Sequence, residues 1–308
     1  MRLLVVGAGA TGGYFGGRLA GAGRDVTFLV RPKRAEALRA NGLQILSPHG
    51  DLTLTPKTVT AADLAEKFDA ILLSVKAYSL DAAIEDFAPA VGPGTMILPV
   101  LNGMRHMDVL TARFGAEAVA GSVCRVAADI DAEGRIVQMA KFHELAYGER
   151  DGTISPRMEQ LDAFMQGAGF DARLLPEIER EMWEKWTLLA SLALTCMLRG
   201  NVGEIVAAHG GAEIAERFVG EVVAVISAVG KAPRPEVVET VRGTLTLAGS
   251  TVSPSMYRDM SKGAPIEADQ IIGDLLARAQ GAGIPVPLLE VVYASLSIYQ
   301  NRLAAKAA

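Results

Sequence analysis

The stretch Arg2-Leu-Leu-Val-Val-Gly-Ala-Gly-Ala-Thr-Gly12 decides the fold of this chain. Residues 2–7 form a short apolar run typical of a buried strand, and Thr11–Gly23 has helical spacing. Between them, Gly7–Gly12 matches the pattern G-x-G-x-x-G, which in a strand-to-helix context indicates a dinucleotide-binding turn. A plain glycine turn is the alternative, since a chain with 32 glycines among 308 residues also produces chance matches.

Each glycine of this turn is expected to have a different structural role. Gly7 permits the tight turn, Gly9 lets the backbone approach the pyrophosphate, and Gly12 allows close packing of strand and helix. The start of the helix presents unpaired N–H groups and the positive end of its dipole to the phosphates. The residues expected to bind the cofactor here are Gly7, Gly9, Ala10, Thr11 and Gly12.

The end of the second predicted strand, Asp25–Val30, distinguishes NAD from NADP. An NAD site usually presents a carboxylate there to the ribose 2′-hydroxyl. This chain has Arg31 instead, followed by Lys33 and Arg34. A guanidinium binds a 2′-phosphate through paired charge-assisted hydrogen bonds, so we expect NADPH. For Lys33 and Arg34, a solvated basic loop remains the alternative.

Strands alternate with helices through the first half, which predicts a parallel sheet covered by helices on both faces. Further strands are expected at Ala70–Val75 and Thr95–Val100, although Pro99 cannot donate to a ladder. Later, Gly134–Met139 and His143–Tyr147 predict antiparallel additions at one edge. The first half is therefore expected to be an α/β Rossmann domain.

The strand signals stop after Pro176, and the second half is predicted to be all-helical. Ser253-Pro254 predicts an N-cap followed by proline at the first helical position. We expect a Rossmann NADP-binding domain over residues 1–175 and a helical domain for substrate binding and dimerisation over residues 176–308. Helical spacing covers Pro176–Arg199, Gly203–Gly230, Glu236–Leu247, Pro254–Gly281 and Leu288–Ala305.

The composition excludes several classes of protein. A formal net charge of −5 argues against a nucleic-acid-binding surface. Cys124 and Cys196 lack the spacing of a metal site or a disulfide framework, so both are expected to be small buried hydrophobes in a cytoplasmic protein. Met1–Ala10 lacks the features of a signal peptide, and the longest apolar run, Trp186–Leu198, is too short to cross a membrane. We expect no metal, nucleic-acid or membrane partner.

Polar residues follow two of the predicted parallel strands. Lys76 lies just after Ala70–Val75, and Asn102 lies just after Thr95–Val100. Ligands of open α/β sheets bind at the carboxyl ends of the strands, so both residues are placed to bind cofactor and substrate. Without that placement, either would be an ordinary loop residue.

Two residues of the helical half are candidates for carbonyl chemistry, in which the oxygen needs a proton donor as hydride arrives. Lys185 lies beside tryptophans at the edge of an apolar helix, where desolvation would suit it to proton transfer near neutral pH. A lysine that snorkels to water is the alternative. Glu267 falls at the border of an apolar helical stripe, and a solvated glutamate early in a helix explains it equally well.

Together these motifs resemble the ketopantoate reductase (2-dehydropantoate 2-reductase) family along essentially the whole chain. The resemblance implies an NADPH-dependent reductase with a Rossmann domain and a helical domain. It also implies that Lys185 is the general acid, that Glu267 helps to hold substrate and cofactor, and that Ser255 contacts the substrate. Lys76 and Asn102 would then lie by the nicotinamide. The motifs concerned are the glycine turn, Arg31, Ser74-Val-Lys76-Ala, Leu101-Asn102-Gly, Trp183-x-Lys185-Trp, Ser255-Met256 and Pro265-Ile-Glu267.

One departure from the family pattern concerns the substrate. Ketopantoate reductases offer asparagines at the fourth and eighth positions beyond the catalytic lysine, where this chain has Leu189 and Ala193. Without those amides, the hydroxyl of a polar substrate would be left unpaired. A less polar 2-oxo acid or ketone is therefore an alternative substrate.

Three functions follow from these features. The first is NADPH-dependent reduction of a 2-oxo acid, with conversion of 2-dehydropantoate to pantoate in pantothenate biosynthesis as the leading candidate. The second is a dehydrogenase that oxidises another small hydroxy acid. The third is an NADP(H)-sensing binding protein, against which the presence of Lys185 and Glu267 argues. The apolar residues of Val291–Tyr299 fit either a homodimer face or the core.

Overall fold

A computed structural model describes residues 1–307 of the chain. The chain forms two units, which are considered separately. The first contains Met1–Leu101 and His106–Glu179, and the second contains Asn102–Arg105 and the chain from Arg180 onward. The predicted domains, 1–175 and 176–308, contain no counterpart to the separate segment Asn102–Arg105.

The first unit contains a parallel sheet next to the N-terminal glycine turn. The strands of the first unit, which form two sheets, are β1 (Arg2–Val6), β2 (Asp25–Leu29), β3 (Leu43–Leu46), β4 (Leu52–Leu54), β5 (Lys57–Val59), β6 (Ala70–Leu73), β7 (Met96–Pro99), β8 (Gly121–Ile130), β9 (Ile136–Gly148) and β10 (Asp171–Leu174). The order β5-β2-β1-β6-β7, with every pair parallel, confirms the predicted parallel sheet. Pro99 lies at the end of an edge strand, which tolerates its missing N–H.

A second sheet holds the strands that were expected to be antiparallel additions. Both predicted segments fall largely in β9, which pairs antiparallel with β8, a strand that was not predicted; the register shifts between Val126 and Ala128. β9 is one continuous strand where two segments are predicted, because its pairing with β8 extends along most of its length. β9 also pairs in parallel with β3 and β10, and the order is β10-β9-β3-β4. The additional strands therefore join a sheet of their own.

The helices that lie wholly or, for α4, from its second residue onward in the first unit are α1 (Ala10–Gly21), α2 (Pro32–Asn41), α3 (Leu80–Phe87), α4 (Arg105–Phe114) and α5 (Pro156–Met165). Helix α1 packs closely between the two sheets. A Cβ atom on Gly16 would lie 2.8 Å from the ring of Phe28 in the parallel sheet, and one on Gly13 would lie 2.5 Å from Ile136 in the second sheet. The small residues of α1 therefore allow both sheets to approach one helix.

The second unit is helical, as predicted. Its helices are α6 (Ile178–Leu198), α7 (Val202–Ala207), α8 (Gly211–Val229), α9 (Pro235–Leu245), α10 (Ser255–Ser261), α11 (Asp274–Gly281) and α12 (Pro287–Ala307), and a π-helix at Asp269–Gly273 leads into α11. The helix predicted over 203–230 is divided into α7 and α8, because Gly210 adopts a left-handed φ of 71° between them.

The helix predicted over 254–281 is also interrupted. Gly263, with a φ of 68°, follows α10, and Pro265 then breaks the helical pattern before the π-helix. The prediction that Ser253 caps this helix is wrong, because α10 begins at Ser255 and its capping position is Pro254. Glu267 consequently lies at the start of a new helical segment rather than within a long helix.

The apolar faces of the second unit are largely buried. On α12, Val292 and Leu296 are fully buried, whereas Val291 and Ile298 are 56% and 52% exposed. A homodimer through this helix therefore stays a prediction. Within residues 1–307, no helix combines the length and the hydropathy that a membrane span requires.

Both cysteines are buried free thiols, as predicted. Cys196 lies on α6 with none of its surface exposed, and this burial raises the pKa of its thiol to about 12. The Sγ of Cys124 is directed at the carbonyl of Val100, 3.7 Å away. Both side chains therefore serve as core residues.

The packing of α1 predicts opposite effects for two glycine-to-alanine changes. Gly16→Ala should lower the free energy of unfolding by about 1–3 kcal/mol, because its methyl group would overlap the ring of Phe28. The control, Gly220→Ala on α8, adds a methyl group with no neighbour within 4 Å and should raise stability by up to about 1 kcal/mol. Urea denaturation of both variants measures the difference, and a Gly16→Ala protein as stable as the wild type would contradict this packing.

Candidate functional site

The glycine turn joins β1 to α1 at the carboxyl end of the central strand. Gly7 has a φ of 94°, a conformation that favours glycine, and its N–H donates to the carbonyl of Leu29 at the end of β2. A Cβ atom on Gly12 would lie 1.9 Å from Oγ of Ser74 and 2.3 Å from the carbonyl oxygen of Gly7. The backbone conformation therefore favours glycine at position 7, and close packing requires it at position 12.

The opposite side of the turn is open. A Cβ atom on Gly9 would meet nothing within 4 Å, and α1 begins there with neither a side-chain cap nor an acidic residue in its first turn. Ala10 and Thr11 at the start of the helix are half-buried. The first N–H groups of a helix lack partners within it, and they carry its positive end. These residues fit a pyrophosphate group.

Ser74, just beyond β6, holds the back of the turn in place. Its hydroxyl lies 3.0 Å from the carbonyl oxygens of both Val6 and Gly7, to which it donates. Lys76, two residues further on, is half-buried and precedes a short 3₁₀ helix at Ala77–Ser79. Lys76 therefore lies at the carboxyl end of the parallel strands, as the glycine turn does, and this is the position that the sequence predicts for Lys76.

Two arginines follow β2, and they differ in their surroundings. Arg31 occupies the N-cap position of α2 and is exposed. Arg34 is half-buried, and its guanidinium donates to the carbonyl of Ala8 at 3.2 Å and to that of Gly134 at 3.3 Å. Burial lowers the pKa of Arg34. The solvated-loop interpretation therefore fits Lys33, which is exposed, but not Arg34.

In the second unit, Asn102 and Glu267 lie together although 165 residues separate them in sequence. The Asn102 amide donates to the Glu267 carboxylate at 3.3 Å, and Glu267 is only 6% exposed. The Gln270 side chain donates to the backbone carbonyl of Asn102 at 3.1 Å. Glu267 is therefore a buried residue with a polar partner, and the solvated interpretation of this glutamate is wrong.

Gln270 is a residue of this arrangement that the motifs did not indicate. It is buried, and its backbone carbonyl oxygen would lie 2.6 Å from a Cβ atom on Gly103, whose φ is 78°. The loop that carries Asn102 can approach Gln270 this closely only with glycine at position 103. No local sequence signal marks Gln270, because its partner comes from a distant loop.

A tryptophan connects helix α6 with the segment that carries Glu267. The indole N–H of Trp186, which is 1% exposed, donates to the carbonyl of Ile271 in the π-helix at 2.9 Å. A π-helix alters the usual backbone pairing, and such segments often occur at functional sites. Lys185 precedes Trp186 on α6 and is half-buried. Trp186, the residue after Lys185, therefore connects α6 with the π-helix that follows Glu267.

The acidic neighbour of Lys185 has its own cationic partner. Glu184 is 3% exposed, and it accepts hydrogen bonds of 2.8 Å from both the backbone N–H and Nε of Arg234. The same guanidinium also contacts Glu181. This ion pair neutralises a buried carboxylate on α6, as burial of a charge requires.

The helix face beyond Lys185 is apolar. Leu189 is half-buried and Ala193 is fully buried. Of the nearby hydroxyl groups, that of Thr187 donates to the carbonyl of Trp183 at 2.9 Å within its own helix, and that of Ser191 is buried. No amide replaces the missing asparagines among residues 186–195 of α6.

The predicted site residues divide between the two units. Gly7–Gly12, Arg31 and Lys76 belong to the first unit. Asn102, Lys185, Ser255 and Glu267 belong to the second, where Ser255 is half-buried at the start of α10. Their roles in binding and catalysis remain predictions.

Comparison with known proteins gives matches along both halves of the chain. Two models of the ketopantoate reductase PanE/ApbA family match, the first over residues 3–152 and the C-terminal one over residues 177–300. The uncharacterized oxidoreductase YkpB of Bacillus subtilis is 36% identical, over 97% of this chain and 99% of the relative. A 2-dehydropantoate 2-reductase of Mesorhizobium japonicum is 28% identical over 96% of each chain.

A solved structure supports the same likeness. The crystal structure of a 2-dehydropantoate 2-reductase from Geobacter metallireducens matches with a TM-score of 0.86 and 29% sequence identity. The match covers 96% of this chain and 99% of that one. The similarity therefore includes the fold as well as the sequence.

The hydrogen bond of Trp186 can be tested with the neighbouring tryptophan as a matched control. Trp186→Phe removes the donor to the buried carbonyl of Ile271. It should lower the free energy of unfolding by about 1–3 kcal/mol in addition to the effect of the smaller ring. Trp183→Phe removes an indole of the same size whose N–H has no protein acceptor within residues 1–307. Urea unfolding gives both values, and equal losses would contradict the role of this hydrogen bond.

Proposed function

The chain belongs to the ketopantoate reductase family, and from this premise we propose that it uses NADPH to reduce a 2-oxo acid to the 2-hydroxy acid. Membership makes the protein an oxidoreductase with a nicotinamide cofactor. The choice of NADPH and of a substrate is our proposal, with 2-dehydropantoate as the first candidate. The observation that carries the proposed reduction is the hydrogen bond of Asn102 to the buried Glu267, whose segment Trp186 connects to the helix of Lys185.

The preference for NADPH is supported by the residues that follow β2. Arg31 stands where a site for NAD usually has a carboxylate. Within residues 1–307 its guanidinium makes no ion pair, so its charge is available to a phosphate. The open side of the glycine turn at Gly9 would hold the pyrophosphate, together with the backbone N–H groups of Ala10, Thr11 and Gly12.

Reduction of a ketone adds a hydride to its carbon and a proton to its oxygen. NADPH supplies the hydride when it is bound. We assign the proton to the ammonium group of Lys185, which transfers it from Nζ to the carbonyl oxygen as negative charge develops there. Lys185 would then recover its proton from solvent after each turnover. Its half-buried position limits the access of water to the reacting group.

The other predicted residues would bind and orient. The Glu267 carboxylate, which accepts a hydrogen bond from Asn102, would help to hold the substrate and the cofactor. Lys76 and Asn102 would lie by the nicotinamide and the reacting carbonyl, where Lys76 provides a positive charge for a 2-oxo acid. Ser255 would contact the remainder of the substrate. A fixed polar arrangement lowers the reorganisation needed in the transition state.

The substrate side chain is expected to meet an apolar surface. Leu189 lies four residues beyond Lys185 on the same face of α6 and is half-buried, whereas Ala193, eight residues beyond Lys185, is fully buried and offers no surface to the substrate. Neither side chain can bind a hydroxyl group, so a hydroxylated substrate such as 2-dehydropantoate would gain little over an apolar analogue. Apolar 2-oxo acids are therefore the second candidate substrates.

Replacement of the proposed general acid tests the reaction directly. Lys185→Ala should reduce kcat by about 10²- to 10⁴-fold in NADPH oxidation followed at 340 nm, while the Kd for NADPH stays within about threefold. Lys231→Ala, at an exposed position, is the matched control and should retain full activity. If Lys185→Ala retains its kcat, the assignment of the general acid is wrong.

The absence of any NADPH oxidation with a panel of 2-oxo acids would contradict the proposed reduction. Binding of NADPH without turnover would then favour an NADP(H)-sensing protein. NADP reduction with a hydroxy acid, but no reaction in the reverse direction, would favour a dehydrogenase of another substrate.

A pair of substrates that differ by one hydroxyl group tests the apolar surface. For the wild type, we expect kcat/KM for 2-dehydropantoate and for 3,3-dimethyl-2-oxobutanoate to differ by less than about tenfold. Leu189→Asn should raise the preference for 2-dehydropantoate by about 10- to 100-fold, since its amide can bind the hydroxyl. Leu188→Asn, on a different face of α6, should leave the ratio unchanged. A wild-type preference for 2-dehydropantoate above about 100-fold would show that other residues bind its hydroxyl.

A further inference from the structure

Arg34 lies directly against the glycine turn. One Nη of its guanidinium donates to the carbonyl of Ala8 at 3.2 Å, and the other donates to the carbonyl of Gly134 at 3.3 Å. A guanidinium has five N–H donors, so these two bonds leave others available to a ligand. The arginine is thus held in place before any ligand binds, in contrast to the exposed Arg31 three residues earlier.

The charge of Arg34 has no counterion in the protein. Within residues 1–307 no carboxylate forms an ion pair with it. The two acidic residues of the β8–β9 turn, Asp131 and Glu133, both pair with Arg135, whose Nε lies 2.7 Å from the Asp131 carboxylate and whose Nη lies 3.2 Å from that of Glu133. Neither α1 nor α2 has an acidic residue in its first turn. A half-buried cation without a counterion is costly, and an anionic ligand would offset that cost.

The surroundings of Arg34 add to the local positive potential. Ala8, which accepts one of its hydrogen bonds, immediately precedes the N-cap residue of α1, Gly9. Arg34 itself lies in the first turn of α2, whose N-cap is Arg31. Two helix N-termini, both positive, and two arginines therefore surround the region just beyond the end of β2. In an NADP site this region receives the ribose 2′-phosphate.

We propose that Arg34 is a second specificity-determining residue of the cofactor site and that its guanidinium binds the 2′-phosphate of NADPH. This inference rests on the proposed use of NADPH. The β8–β9 turn contributes to it, because the carbonyl of Gly134 orients the guanidinium. Asp131 closes that turn by accepting hydrogen bonds from the backbone N–H groups of Glu133 and Arg135. A turn of the second sheet thus positions a residue that distinguishes the two nicotinamide cofactors.

Binding measurements on full-length variants test this role. Arg34→Gln should raise the Kd for NADPH by about 10- to 100-fold and the Kd for NADH by less than about threefold, since only NADPH carries the 2′-phosphate. Adenosine 2′,5′-bisphosphate should lose affinity as NADPH does, and 5′-AMP should not. Arg34→Lys keeps the charge and should retain most of the preference for NADPH. Arg39→Ala, on the exposed face of the same helix, is the matched control and should bind both cofactors as the wild type does.

The outcomes separate this inference from the proposed function. A wild type that prefers NADPH, with Arg34→Gln keeping that preference, would overturn the role of Arg34 alone. Equal losses of NADPH and NADH would also overturn it, because Arg34 would then act on a group that the cofactors share. A wild type that binds NADH as tightly as NADPH would overturn the proposed cofactor, and the role of Arg34 with it.

A measurement on the wild type provides an answer even if Arg34→Gln does not fold. Phenylglyoxal modifies accessible arginines, and mass spectrometry of the digested protein reports the modified fraction at Arg34 and Arg39. Adenosine 2′,5′-bisphosphate should protect Arg34 from modification, and 5′-AMP at equal saturation should not, while Arg39 is modified throughout. Equal protection of Arg34 by the two nucleotides would overturn the proposal.

Discussion

The contact between Gly12 and Ser74 is the constraint on which the first unit depends. The Ser74 hydroxyl bridges the carbonyls at the end of β1 and leaves no room for a side chain on α1 at position 12. Two adjacent strands and a helix therefore meet at one point. This contact fixes where α1 begins, and the beginning of α1 determines where an anion can bind. The close approach of α1 to both sheets extends the same constraint along the helix, because Gly13 and Gly16 contact opposite sheets.

The second unit depends on an interruption of regular structure. Pro265 breaks the helical pattern ahead of Glu267, and the following π-helix presents the carbonyl of Ile271 to the indole of Trp186. A continuous helix would carry Glu267 in its interior and would pair this carbonyl differently. The interruption thus allows a carboxylate to be buried beside Asn102 and ties its backbone to α6. Irregular backbone of this kind persists where tertiary contacts satisfy its polar groups.

Local features of the fold could be predicted from the sequence. The glycine turn, the parallel strands and the helical second half each depend on neighbouring residues, and the structure contains them. The burial of Glu267, the contacts of Arg34 and the role of Gln270 could not be predicted. Glu267, Gln270 and the Gly134 contact of Arg34 each depend on a group about one hundred residues or more away, and the Ala8 contact of Arg34 spans 26 residues, so none of them leaves a periodic signal. The division of two predicted helices could have been predicted as well, since Gly210 and the Gly263–Pro265 segment mark the breaks in the sequence.

The four residues Asn102–Arg105 give this chain an unusual connectivity. They belong to the second unit, yet residues of the first unit precede and follow them in sequence. The chain therefore crosses between the units three times, and neither unit is a single contiguous segment. A recombination event that exchanged only the helical half would separate Asn102 from Glu267 and Gln270, its hydrogen-bonding partners. The two halves are consequently expected to be inherited together, and a change in the Asn102 loop must be matched by a change in the helices.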